Sequence, residues 1–212
     1  MKIGIMGGTF DPIHNGHLMI GESAYENYDL EEIWFMPNGH PPHKEMRSIE
    51  SSITQRVKMI QLAIAKTPYF KLYLHEVNPF ETSYSYQTNK YLIDTFPEHT
   101  FYFILGADSL FDIETWVYPD KLLAISNILV ANRTHKSIDK IQTYITYLNK
   151  KYDAHIELLD TPFVDISSHG IRDLRKQHLS FNHMVPREVE EYIYAQCLFE
   201  DKKNESANHQ SN

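Results

Sequence analysis

The chain has 212 residues, 42% of them apolar and 23% charged, and a formal net charge of −8. That length and balance fit one ordinary globular domain with a single core, and the acidic surplus argues against a nucleic-acid polymer as partner, since such binding rests on a basic surface. A single cysteine, Cys197, excludes an intrachain disulfide and a cysteine-based zinc site, and no stretch approaches the roughly 20 apolar residues of a membrane span.

Lys2 to Met6 reads as a buried parallel strand, and from Leu18 onward the apolar residues have helical spacing. Between them lies Gly7-Gly8-Thr9-Phe10-Asp11-Pro12-Ile13-His14-Asn15-Gly16-His17. Such a strand-to-helix turn, with two expected glycine bends and both imidazoles at or next to a helix N-terminus, is suited to hold phosphate. Unpaired N–H groups and the positive end of the helix dipole favour an anion there. Gly7 and Gly8 would let the backbone approach a ligand that a Cβ would push away. His14 and His17 are placed to donate to a phosphorus centre gaining negative charge.

Ile33 to Met36 is a short apolar run stopped by Pro37. Ser52 offers an N-cap with Gln55 three residues on, and Ile53, Val57, Ile60 and Ile64 recur at helical spacing. Phe70, Leu72 and Leu74 alternate as a strand, and a helix from about Ser85 to Phe96 is halted by Pro97. Phe101 to Leu105 has the continuous apolar character of a central parallel strand. A short helix starting near Pro119 precedes a strand from Ile128 to Ala131. Ile138, Ile141, Ile145 and Leu148 mark one face of a further helix, and Ile156 to Leu159 supplies the last strand. Terminal helices read from Ser168 and from Pro186, the latter burying Val189 and Ile193, and the polar tail from Asp201 to Asn212 is expected to be disordered. Strands alternating with helices predict a doubly wound parallel α/β sheet.

In such sheets ligands collect at the carboxyl ends of the strands, where the strand order reverses. Those ends here carry the His14 and His17 turn, then Pro37-Asn38-Gly39-His40-Pro41-Pro42-His43-Lys44, then Gly106-Ala107-Asp108, then Asn132-Arg133; beyond the last strand comes Ile166-Ser167-Ser168-His169-Gly170-Ile171-Arg172. The remaining histidines are scattered singly among loops and read as surface residues.

The first turn with its His-x-Gly-His, the Pro-Asn-x-x-Pro-Pro-His-Lys loop, Ser83-Tyr84, and Gly-x-Asp-Ser followed by Trp116 together resemble the nicotinate-nucleotide adenylyltransferases of the nucleotidyltransferase superfamily. The likeness extends from Met1 to about Glu200, so residues 1–200 are expected to form one Rossmann-like nucleotidyltransferase domain, followed by the 201–212 tail. The resemblance implies transfer of AMP from ATP to nicotinate mononucleotide, giving nicotinate adenine dinucleotide and pyrophosphate, a step of NAD biosynthesis.

It implies site residues as well. His14 and His17 would be catalytic, contacting the α-phosphate without acting as covalent nucleophiles. Gly7, Gly8, Thr9 and Phe10 would lie along ATP, with Gly106 and Asp108 at the ribose and Arg133 over the phosphates or base. Ser167, Ser168 and Arg172 would hold the β- and γ-phosphates. Asn38, His43 and Lys44 would meet the mononucleotide phosphate, Ser83, Tyr84 and Ser85 would present donors to the nicotinate carboxylate, and Trp116 would stack on the pyridine ring. Mg²⁺ is implied through the ATP phosphates, with no protein metal ligands assigned. Five positions depart from the pattern: His169 stands where Thr is usual, Ser85 and Gln87 replace Thr and Asp, and Thr134-His135 follow Arg133 in place of Pro-Gly.

Phosphopantetheine enzymes are similar at the first turn but usually have Thr at the first imidazole position and lack the Pro-Pro-His-Lys loop. A nicotinamide-dependent oxidoreductase would want Gly-x-Gly-x-x-Gly and an acidic residue ending the second strand, where Gly4-Ile5-Met6-Gly7-Gly8 and Pro37-Asn38 stand instead. The same chemistry with nicotinamide mononucleotide or a small sugar or alkyl phosphate as acceptor, and a protein that binds ATP without releasing pyrophosphate, are the remaining alternatives. The single cysteine and the lack of a targeting or membrane signal make the expected location cytoplasmic. Homo-oligomerisation stays open.

Overall fold

The computed structural model describes residues 1–39, 48–78, 80–132 and 137–201. Its elements alternate in chain order: β1 (Lys2–Gly8), α1 (Asn15–Asn27), β2 (Glu32–Pro37), α2 (Ile53–Ile64), β3 (Phe70–Leu72), α3 (Ser85–Thr95), β4 (Thr100–Gly106) and α4 (Ala107–Asp112). A 3₁₀ turn (Ile113–Thr115), α5 (Pro119–Ile125), β5 (Asn127–Ala131), α6 (Ile138–Tyr152), β6 (His155–Leu159), α7 (Ser168–Lys176) and α8 (Arg187–Ala195) follow.

All six strands pair in parallel in the order β3-β2-β1-β4-β5-β6. Side-chain alternation along each strand divides the core into two layers. Met6, Ile33 and Phe35 pack with Ile20, Ile60, Ile171, Val189 and Ile193 of α1, α2, α7 and α8. Ile3, Ile5, Phe101, Phe103, Ile128 and Val130 face the opposite way, onto Leu92, Leu110, Leu122, Ile141, Ile145 and Leu148 of α3 to α6. Burying each such side chain is worth about 1.5–3 kcal/mol. No helix among the described residues is long and apolar enough to cross a membrane.

The strand order reverses between β1 and β4, and there the sheet opens. Their ladder runs from Lys2–Thr100 to Ile5–Phe103 and stops, although each strand continues for three residues. On the other side of β1, pairing with β2 continues to Gly8–Pro37. The result is a crevice at the carboxyl ends of β1 and β4.

Several expectations need correction. Gly7 and Gly8 belong to β1 and bend nothing: no described glycine has a positive φ, and the turn is made by Phe10, at φ 51°. The β3 strand ends at Leu72, because Leu74, 48% exposed, lies beyond the last rung with β2. Ile138 was expected on the buried face of α6 but is 60% exposed, since it starts the helix beyond the edge of the layer that Ile141, Ile145 and Leu148 enter. Helix α4 and the 3₁₀ turn were not anticipated. The 202–212 part of the expected tail lies outside the described residues.

Candidate active site

The first turn is fastened from three directions. Asp11 is buried, and its carboxylate accepts the backbone N–H groups of Glu50 (2.8 Å) and Ser51 (3.2 Å) and the Ser51 hydroxyl. From α7, Ser168 Oγ donates to the Pro12 carbonyl at 2.8 Å and Arg172 Nη1 to the Asp11 carbonyl at 2.7 Å. The Phe10 ring drops into the core against Phe35 and meets His17 edge-on at 5.0 Å. Phe10 therefore faces the crevice with its backbone alone. Where a Cβ would stand on Gly7 nothing lies within 4 Å, so this stretch of strand borders open space.

His14 is the extended N-cap residue of α1. Its backbone N–H donates to Nδ1 of His17 at 3.2 Å, and the two rings stack with centroids 3.7 Å apart and planes at 26°. His14 is buried, at 1% exposure, while His17 is half-buried. An Nδ1 that accepts a bond carries no proton, so the proton of neutral His17 sits on Nε2. The helix start thus presents an N–H donor beside the positive end of the α1 dipole.

Ser167 caps α7, its Oγ accepting the Gly170 N–H at 3.0 Å. Arg172, one turn in, is far from solvated: its side chain is 11% exposed, and besides the Asp11 carbonyl it reaches Glu50 (Nε to Oε1, 3.0 Å) and the Ser48 carbonyl (3.5 Å). Lys176 joins the same Glu50 oxygen at 2.7 Å. His169, exposed, lies 3.1 Å from Asp173 one turn along the helix.

At the neighbouring strand ends, Gly106 occupies the N-cap position of α4, and Asp108 stands exposed in the first helical turn. Asn38 follows β2, with its N–H on the Gly8 carbonyl at 3.0 Å. Its side-chain Oδ1 is buried with no hydrogen-bond partner among the described residues. Gly39 donates to the Glu76 carbonyl at 2.6 Å, and a Cβ on it would come within 2.5 Å of the Asn78 carbonyl oxygen. That close approach requires glycine. Ser83, Tyr84 and Ser85 open α3, Tyr84 being its N-cap, and Trp116 stands half-buried just after the 3₁₀ turn. The expected contacts of His43, Lys44 and Arg133 lie outside the described residues.

Sequence reasoning missed four charged groups near these elements. Arg56 of α2 is 2% exposed and bonds to the first residues after β1 and β2. Its only sequence signal was a cation four residues before Ile60 on the buried stripe. Glu50 holds Arg172 and Lys176; Glu76, from the segment that meets Gly39, accepts the Thr88 hydroxyl of α3, and burial raises its carboxyl pKa. Glu114 gathers Lys151, Tyr144 and Tyr152 around the 3₁₀ turn. Among the described residues, no group of three His, Cys, Asp or Glu side chains is placed to hold a metal ion.

The cytidylyltransferase-like family profile matches residues 5–174. A protein of Lachnoclostridium phytofermentans named as a probable nicotinate-nucleotide adenylyltransferase is 40% identical over 91% of this chain and 96% of its own length. A protein of Bacillus licheniformis with the same name is 37% identical, over 94% and 98%. In fold, the chain is similar to the Plasmodium falciparum nicotinic acid mononucleotide adenylyltransferase complexed with NaAD, with a TM-score of 0.76 at 24% identity, covering 93% of this chain and 97% of that one.

Proposed function

The chain belongs to the nicotinate-nucleotide adenylyltransferases, within the cytidylyltransferase-like family, and from that premise we propose how its crevice performs their reaction. It transfers AMP from ATP to nicotinate mononucleotide, giving nicotinate adenine dinucleotide and pyrophosphate in NAD biosynthesis. The observation that carries the structural side is the paired imidazoles of His14 and His17 at the crevice where β1 and β4 part.

The mononucleotide phosphate is ionised at neutral pH and attacks the α-phosphorus; a P–O bond forms to it as the α–β bridging P–O bond breaks, and the electron pair leaves on pyrophosphate. No general base or covalent enzyme intermediate is required. Catalysis is alignment and charge stabilisation. His17 donates from Nε2 to the α-phosphate, and His14, stacked beneath it, fixes the ring and shares the contact. ATP runs past Gly7, Gly8, Thr9 and the Phe10 backbone, its ribose at Gly106 and Asp108, its outer phosphates toward Arg133, Ser167, Ser168 and Arg172. The Ser168 hydroxyl, whose proton is on the Pro12 carbonyl, serves by tethering α7 to the turn. Asn38, His43 and Lys44 take the acceptor phosphate; turning the Asn38 carboxamide over would place Nδ2 where Oδ1 now lies buried. Ser83, Tyr84, Ser85 and Trp116 receive the nicotinate ring.

Mg²⁺ carried by the triphosphate would supply charge neutralisation for the departing pyrophosphate, and no described side chain is assigned to hold it. We place the reaction in the cytoplasm, in line with a chain of one cysteine, and assign residues 1–200 to one domain. The test is pyrophosphate release from Mg-ATP with nicotinate mononucleotide, nicotinamide mononucleotide and phosphopantetheine side by side. The expected preference is for the nicotinate nucleotide; a preference for the amide would overturn the acceptor.

A further inference from the structure

The two sides of β1 end differently. Toward β4 the ladder stops early and the crevice opens, whereas toward β2 it runs to its last rung at Gly8–Pro37. Beyond that rung stand Thr9 and Asn38, whose carbonyls have left the ladder. A single nitrogen, Nη1 of Arg56, donates to both, at 2.7 Å to each. Arg56 is 2% exposed, and its Nε is buried with no hydrogen-bond partner among the described residues. Buried Asp11 supplies nearby opposite charge, countering the pKa-lowering effect of burial. Ser52 and Gln55 form a capping box that sets the start of α2, and Arg56 follows directly on the buried face with Met59, Ile60 and Ile64.

We infer that Arg56 is a positioning residue for adenylyl transfer, clamping the turn that carries ATP to the loop that carries the acceptor phosphate. This rests on the function proposed above. Thr9 begins the turn that ends in His14 and His17, which faces the phosphorus under attack; Asn38 begins the segment that meets the attacking phosphate. The guanidinium lies between the two backbones and touches neither substrate. It fixes how far the nucleophile stands from phosphorus, and a misplacement of about 1 Å in such a reaction costs about 10²-fold in rate. Lysine does not reproduce this clamp, because its ammonium is carried on a flexible stem without the planar fork.

The test compares wild type, Arg56→Lys and Arg56→Ala. Dissociation constants for Mg-ATP and for nicotinate mononucleotide are measured one substrate at a time, kcat by pyrophosphate release, and exchange of the Asn38 amide, bonded to the Gly8 carbonyl, by NMR. In Arg56→Lys, kcat is expected to fall about 10²-fold while both dissociation constants stay unchanged, and the Asn38 amide to exchange faster. In Arg56→Ala, guanidinium ion below denaturing concentration restores turnover and ammonium does not. If Arg56→Ala does not fold, the lysine variant decides. A folded Arg56→Lys with wild-type kcat, or a loss confined to the affinity for one substrate, overturns the inference. A wild type inactive on nicotinate mononucleotide refutes the functional reading instead, and the Asn38 exchange rate then still decides whether the clamp exists.

Discussion

Nδ1 of His17 accepts the backbone N–H of His14 at 3.2 Å, so the helix cap itself selects the tautomer of the ring. The Nε2–H donor of this tautomer needs no protonation event to act, which suits a reaction whose nucleophile is already ionised. Removing the ring takes the acceptor from the His14 N–H and the partner from its stack, a loss confined to the start of α1 that leaves both core layers intact. His17→Ala is therefore expected to fold normally and to lose about 10²–10³-fold in kcat, the usual cost of one donor to a developing oxyanion. Near-normal turnover in steady-state assays, with an unchanged circular-dichroism spectrum, would remove the proposed role.

Gly16 separates the two histidines, and a Cβ there would lie 3.1 Å from Nδ1 and 3.2 Å from Cε1 of His14. The His14 ring is 1% exposed and stacked on His17, so it yields only by turning out of the stack. Helix propensity opposes this strain, because alanine in place of glycine gains about 1 kcal/mol within a helix. Gly16→Ala should thus show a melting temperature close to wild type and a kcat reduced more than tenfold. Equal losses in stability and turnover would show that the glycine serves packing alone.

The sequence made the sheet legible because buried parallel strands are continuous apolar runs, and the turn legible because two imidazoles at a helix start have little use in packing. What it concealed is tertiary. Asp11 and Ser51 are forty residues apart, Arg172 and Glu50 still further, and no periodicity reports such contacts. The buried Arg56 was hidden because a single cation beside an apolar stripe reads as solvated until the carbonyls of Thr9 and Asn38 are seen above it. The strand Phe70–Leu72 was overextended to Leu74 because alternation of apolar residues continues after pairing with β2 has ended at Leu72.

Arg172 and Glu50 set up a competition. The guanidinium is expected to bind the outer phosphates, yet its Nε lies 3.0 Å from the Glu50 carboxylate, which Lys176 also approaches at 2.7 Å. Carbonyls of Asp11 and Ser48 hold the same guanidinium, so Arg172 keeps its place without Glu50. Glu50→Gln should lower KM for ATP several-fold, and Arg172→Ala should raise it by about 10–100-fold, the worth of a charge-assisted bond. KM for nicotinate mononucleotide should stay constant in both. The partly exposed pairs lost in Glu50→Gln contribute only about 0–1 kcal/mol, so its stability should hardly change. A higher ATP KM in Glu50→Gln would mean that Glu50 orients Arg172 rather than competing for it.

Glu114 links stability to pH next to the proposed acceptor site. Bonds from Lys151 and Tyr152, and a further one from Tyr144, outweigh its partial burial and hold its carboxyl at about 2, against an ordinary value of 4.5. The unfolded chain therefore takes up the proton first as pH falls. The stabilisation is complete above about 4.5 and is lost as pH drops through about 2. Urea unfolding across that window should show wild type losing stability more steeply than Glu114→Gln, whose neutral amide has no proton to take up. Because the bonds anchor the 3₁₀ turn that leads into Trp116, Glu114→Ala at neutral pH should also raise KM for nicotinate mononucleotide and leave that for ATP unchanged. Parallel pH slopes in wild type and Glu114→Gln would show that the carboxylate gains nothing from its partners in solution.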